Sequence, residues 1–261
     1  MAADFILTLR MQEKGGQQRA EVHEELRPSG APEWIIYIHG FRVNQAKALK
    51  QWDVLRSHLA IDDSAARVEC GVFLWPSDQT NVYPEMIPQA AKAGRKLAAY
   101  LRAHRSSRAV LVGHSMGARV ALQTADTLAR SQLELRGMVL LGAAVRAIDC
   151  EPFELYEGAH AKREAVGFSA TDKELKRRFR WGERASTPFQ QIGEAVGQYG
   201  RPDSRSWQRW DSKTDDHSYW KFEGSANLTI WALDVPGIIP PPATQSPEDR
   251  SAEERTPRSG C

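Results

Sequence analysis

The sequence predicts an α/β fold: a mostly parallel, doubly wound sheet with an antiparallel N-terminal hairpin at its edge. Three observations carry this. Short continuous apolar runs recur from Trp34 onward, as strands buried on both faces require. Segments with the apolar period of a helix separate those runs up to about Phe168. Before them, the first residues alternate with a period of two and offer a turn.

Phe5, Leu7, Leu9 and Met11 alternate with Ile6, Thr8 and Arg10 and read as a strand; Gly15-Gly16 supplies a turn, and Arg19 to Leu26 can return beside it. After the punctuation Ser29-Gly30-Ala31-Pro32, Trp34 to Ile38 is a buried strand. Ala48, Trp52, Leu55 and Leu59 share one helical face. Val68 to Trp75 is the next strand, ended by Pro76, and Ile87 to Ala103 the next helix, with Gly94 inside it. Ala109 to Val112 (strand), Ala118 to Leu128 (helix), Met138 to Ala143 (strand) and Ala165 to Phe168 (strand) follow, and Thr187-Pro188 can open a helix that Gly200 stops. Residues 1–235 are expected to form one domain, with 236–261, rich in Pro, Ser, Glu and Arg, a disordered tail.

The bulk composition is that of an ordinary globular protein: 261 residues, 41% apolar, 26% charged, net charge +2. So small a charge gives no case for nucleic-acid binding. Cys70, Cys150 and Cys261 are odd in number, widely spaced and without a CxxC pair, so neither a disulfide framework nor a zinc site is indicated and reduced thiols are expected. The opening segment lacks a basic region and a sustained apolar run, and no stretch approaches the roughly 20 apolar residues of a membrane span. A cytoplasmic protein is the expectation.

Chemistry centres on Gly113-His114-Ser115-Met116-Gly117, placed where a buried strand meets a helix. A serine on such a tight turn stands clear of the sheet, and the helix start behind it favours developing negative charge. His39-Gly40-Phe41 ends an earlier strand. An oxyanion needs two fixed donors, and the backbone N–H groups of Phe41 and Met116 are the candidates. Alone, each motif also reads as a glycine turn without chemistry. With a GxSxG elbow on an α/β sheet the triad runs Ser, acid, His. Of seven histidines only His160 and His217 follow Ser115, and His160 precedes the strand that should bear the acid, which leaves His217 as base. Asp172, just past that strand, is the favoured acid; Asp149 competes, and Asp215 and Asp216 could pair locally. Asp172 could equally be the N-cap of a helix over Lys173-Glu174-Leu175.

These residues, together with Phe73-Leu74-Trp75-Pro76-Ser77 and His217-Ser218-Tyr219-Trp220, resemble the alpha/beta-hydrolase superfamily, in particular a bacterial branch of largely uncharacterised serine hydrolases, over Trp34 to Trp220. The resemblance implies an eight-stranded, mostly parallel sheet, a Ser115–Asp172–His217 triad, and hydrolysis of an ester, thioester or amide of a small acyl substrate without metal or cofactor. Two features depart from it. The stretch between acid and base is long and aromatic, which suggests a lid over 174–214, and no clear strand directly precedes His217.

Around the site the readings stay open. Trp75, Tyr83 and Met86 are candidates for an apolar acyl pocket or for plain packing. The run Lys173 to Arg180 suits an anionic substrate or lipid headgroup, or a solvated helix face. A non-catalytic binding protein on the same fold and an acyltransferase are the competing functions.

Overall fold

A computed structural model describes residues 3–14, 17–26, 28, 33–59, 61, 68–104, 108–133, 135–146, 161–186, 195–200 and 207–234. Eight strands form one sheet in the order β2-β1-β4-β3-β5-β6-β7-β8: β1 Phe5–Lys14, β2 Gln17–Leu26, β3 Glu33–Ile38, β4 Val68–Leu74, β5 Ala109–His114, β6 Leu135–Leu141, β7 Ala161–Phe168 and β8 Trp207–Asp211. Every neighbouring pair is parallel except β1 with β2. This is the mostly parallel sheet with an antiparallel hairpin edge that the apolar pattern predicts.

Alternate residues of the central strands face opposite helical layers. Ile36, Ile38 and Leu111 pack with α2 (Tyr83–Ala103) and α3 (Gly117–Ala129). Ile35, Tyr37, Val110 and Val112 pack with α1 (Gln45–His58) and the last helix, Glu223–Leu233. Burial on both faces explains the unbroken apolar runs. Asn44 caps α1 by accepting the Lys47 N–H at 3.0 Å.

Several boundaries and elements differ from the sequence expectation. α2 begins at Tyr83, four residues early, because Pro84 sits in the first turn, where a missing N–H costs nothing. β7 begins at Ala161; its polar residues Arg163 and Glu164 pair in register with Gly137 and Met138. β6 ends at Leu141 rather than Ala143. β8, Trp-Gln-Arg-Trp-Asp, pairs with β7 and supplies the strand ahead of His217 that the sequence did not reveal. A helical stretch, 173–186 (α4), has a π-helical middle turn at Leu175–Phe179 and continues as Arg180–Ser186. A short helix, Val196–Tyr199 (α5), ends at Gly200; the final helix is α6. The expected helix start at Thr187-Pro188 and the tail 236–261 lie outside the described residues. Among the described residues no helix is long and apolar enough to cross a membrane.

From β3 the chain steps to β4 on one side and then to β5 on the other. In doubly wound sheets ligands bind at such a reversal, here beyond the carboxyl ends of β3 and β5. The segments after β3 and β5 are those carrying His39-Gly40 and Ser115.

Candidate active site

Ser115 follows β5 directly and has φ of 54°, the left-handed region that a side chain occupies only under constraint. Hydrogen bonds supply the constraint. The Ser115 N–H donates to Leu141 O at 2.9 Å, and Ser115 O accepts from Ala118 N at 3.2 Å and Ala144 N at 3.1 Å. The elbow is thus tied to the turn after β6, and the serine side chain is left partly exposed.

The loop after β3 lies against this elbow. A Cβ placed on Gly40 would come within 2.8 Å of Ser115 Cβ, so only glycine allows the approach. His39 anchors the loop from within. It is buried, accepts the Trp75 N–H at Nε2 (3.3 Å), and its Nδ1–H faces Gly40 O (3.1 Å) and Ser77 Oγ (3.3 Å). The Trp75 indole stacks on it and donates to His39 O at 2.9 Å. Burial lowers its pKa to about 4, which keeps it neutral, as this donor–acceptor pattern requires. Ser77 completes the clamp. It bonds Val43 through Oγ and accepts the Arg42 N–H at 2.9 Å. The N–H groups of Phe41 and Met116 have no hydrogen-bond partner among the described residues.

Acid and base meet on the other side of the elbow. Asp172 follows β7, is fully buried, and its Oδ2 lies 2.6 Å from His217 Nδ1. Its Oδ1 accepts the Leu175 N–H at 3.0 Å and starts α4. The two oxygens of Asp172 thus have separate partners, one on the helix start and one on the His217 ring. Ser169 and Thr171 donate to Thr214 O at 2.6 and 2.8 Å and fix the loop that bears His217. His217 Cε1 stands 3.1 Å from where a Cβ on Gly142 would lie, in the turn that also binds Ser115. Among the described residues no hydrogen bond joins Ser115 and His217; such contacts often tighten only with substrate bound.

His114 was not singled out from the sequence. It is buried, donates from Nε2 to His217 O at 2.8 Å, and packs between the rings of His217 and Trp220. Burial foremost, then the neighbouring His217, holds its pKa well below the usual range. Tyr219 closes the cluster, edge-on to the His217 ring with its hydroxyl 3.2 Å from Gly197 O. Burial first, and then the Asp172 carboxylate, pushes that phenol far above its usual range.

A family model described as an alpha/beta hydrolase of unknown function (DUF900) matches residues 14–176. The chain belongs to this family.

The matched span of this alpha/beta hydrolase holds His39–Phe41, Ser115 and Asp172 and stops short of His217. Solved structures resemble it at low identity. A predicted CIB-like hydrolase from Thermoplasma acidophilum is 13% identical over 88% of this chain and 97% of its own, with a TM-score of 0.44. The RedJ thioesterase of Streptomyces coelicolor prodiginine biosynthesis is 14% identical over 80% and 88%, TM-score 0.46. A hormone-sensitive lipase from a metagenome library is 16% identical over 89% and 86%, TM-score 0.40. No curated protein matches the chain.

The remaining candidates of the hydrolase fall as follows. Trp75 and Met86 are 3% and 1% exposed and are engaged in packing, Trp75 on His39. Tyr83 is half-buried, edge-on to Phe41, its hydroxyl 3.3 Å from Ala144 O and 3.4 Å from Glu183 Oε1. Two open clefts, of about 160 and 430 Å³, lie between α2 and α3 and beside Arg119, Arg146 and Glu183; neither is lined by Ser115, His217, Trp75, Tyr83 or Met86. Asp149 and His160 lie outside the described residues. Asp215 pairs with Lys173, and Asp216 with Lys221 and Ser218. Of 174–214, the described parts are the rest of α4, α5 and β8. No group of side chains able to hold a metal ion occurs among the described residues.

Proposed function

We propose that the chain is a serine hydrolase that cleaves a carboxylic ester, thioester or amide through an acyl-enzyme. The observation that carries this is the 2.6 Å contact of Asp172 with His217 Nδ1, beside a serine held at positive φ on the elbow. Asp172 fixes the tautomer with the proton on Nδ1, so Nε2 is the free base. Nε2 takes the Ser115 proton as Oγ attacks the carbonyl carbon, and the N–H groups of Phe41 and Met116 stabilise the oxyanion. Collapse breaks the bond to the leaving group, which receives the proton from His217. Water activated by His217 then splits the acyl-enzyme. Tyr83, next to Phe41, is the pocket candidate best placed to touch an acyl group.

The test is labelling by a fluorophosphonate probe, followed by hydrolysis of short-chain esters. Wild type is expected to label, and Ser115→Ala and His217→Ala to fail. A folded wild type that neither labels nor turns over any ester would overturn the reading in favour of a binding protein.

A further inference from the structure

We infer that the outer face of α4 is a docking surface for an anionic lipid surface, held beside the candidate active site. The helix has two unlike sides. Leu175, Phe179 and Glu183 are buried against the body, and Gly182 lies so close to Tyr83 that a Cβ there would meet its ring at 2.3 Å. Leu175 and Phe179 cluster with Ala144, in the turn that binds the elbow. Lys173, Lys176, Arg177, Arg178, Arg180 and Arg184 are all exposed on the other side. Lys173 is paired with Asp215 and Arg178 with Glu174. Lys176, Arg177, Arg180 and Arg184 have no ion pair among the described residues.

Within these cations stands Trp181, 79% exposed, the most exposed large apolar side chain among the described residues. A solvated charged face gains nothing from a bare indole. An interface between water and lipid does, because the ring is apolar at one end and hydrogen-bonding at the other. Arg177, Trp181 and Arg184 recur at three- to four-residue spacing, so they share one stripe. Cations around an aromatic on one helix face are the pattern that binds the headgroup layer of anionic membranes. Nucleic acid fits less well. A single-stranded chain would need several aromatics to stack on, and the net charge of +2 provides no broad basic field. The surface is independent of the triad, and its test involves no catalysis.

The full-length chain would be sedimented with vesicles of phosphatidylcholine alone and of phosphatidylcholine with an equal part of phosphatidylglycerol. Binding is expected to the second only, and to weaken as salt is raised. At roughly fivefold per cation, the variant R177Q/R180Q/R184Q should lose about a hundredfold in partitioning. W181S should lose severalfold. All four positions are exposed, so the variants should keep the wild-type melting temperature. Equal binding to both vesicles, no binding, or unchanged variants would overturn the proposal. So would duplex DNA binding as tight as vesicle binding and indifferent to W181S, which would assign the face to polyanions in general.

Discussion

Asp172 contacts the start of α4 with one oxygen and His217 with the other, and on the proposed triad substitutions should separate the two roles. In Asp172→Asn the amide oxygen can still cap α4, while an N–H₂ facing His217 Nδ1 favours the wrong tautomer. We expect kcat to fall on the order of 10⁴-fold with little change in melting temperature. Asp172→Ala should lose as much activity and, in addition, about 1 kcal/mol of stability from the missing cap. Equal melting temperatures for the two variants would argue against the cap. On the same proposal His114 is a positioning residue that acts through the carbonyl of His217. His114→Asn, which can still donate, should retain more kcat than His114→Phe, with KM changed less than kcat in both. Ser115, Asp172 and His217 stand out as candidates in the sequence because a motif and a chain order single them out. His114 does not, because its partner lies 103 residues away and no local pattern reports such a contact.

At the scale of elements, the segment Trp75-Pro76-Ser77 works as a bracket for the loop that ends in Phe41. Ser77→Ala removes the bonds to Val43 and leaves His39 Nδ1 with Gly40 O alone. Loosening a donor should cost less than the 10²–10³-fold of deleting one, so a drop of about tenfold in kcat is expected in steady-state kinetics. Gly40→Ala, which would crowd Ser115, should abolish probe labelling in a chain that still folds. The strands were legible where both faces are buried. β8 was not, because five residues with two tryptophans among polar neighbours carry no apolar run. α6 escaped for the opposite reason. It is buried almost all round, from Ser225 to Leu233, so it lacks an amphipathic period.

For the whole molecule, two buried neutral histidines tie stability to pH. The unfolded imidazole binds its proton near pH 6.5, whereas folded His39 resists protonation to about pH 4. Between those values the unfolded state holds more protons, so stability is complete above 6.5 and is lost as pH falls toward 4. For His39 the loss is on the order of 3 kcal/mol, and His114 adds in the same direction. Urea midpoints measured from pH 7 down to pH 4.5 should fall, and His39→Asn should flatten part of that slope. The same slope in the variant would mean that carboxylates account for it.

One carboxylate shared between a helix start and the imidazole of His217 has a dynamic corollary. The Leu175 amide donates to Asp172 Oδ1, and Oδ2 of the same rigid group lies 2.6 Å from His217 Nδ1. Each opening that lets the Leu175 amide exchange its hydrogen for deuterium is therefore also an interval in which the imidazole can lose its orientation. On the proposed triad, the exchange rate of this one backbone amide should report how often that orientation is lost, readable without any substrate.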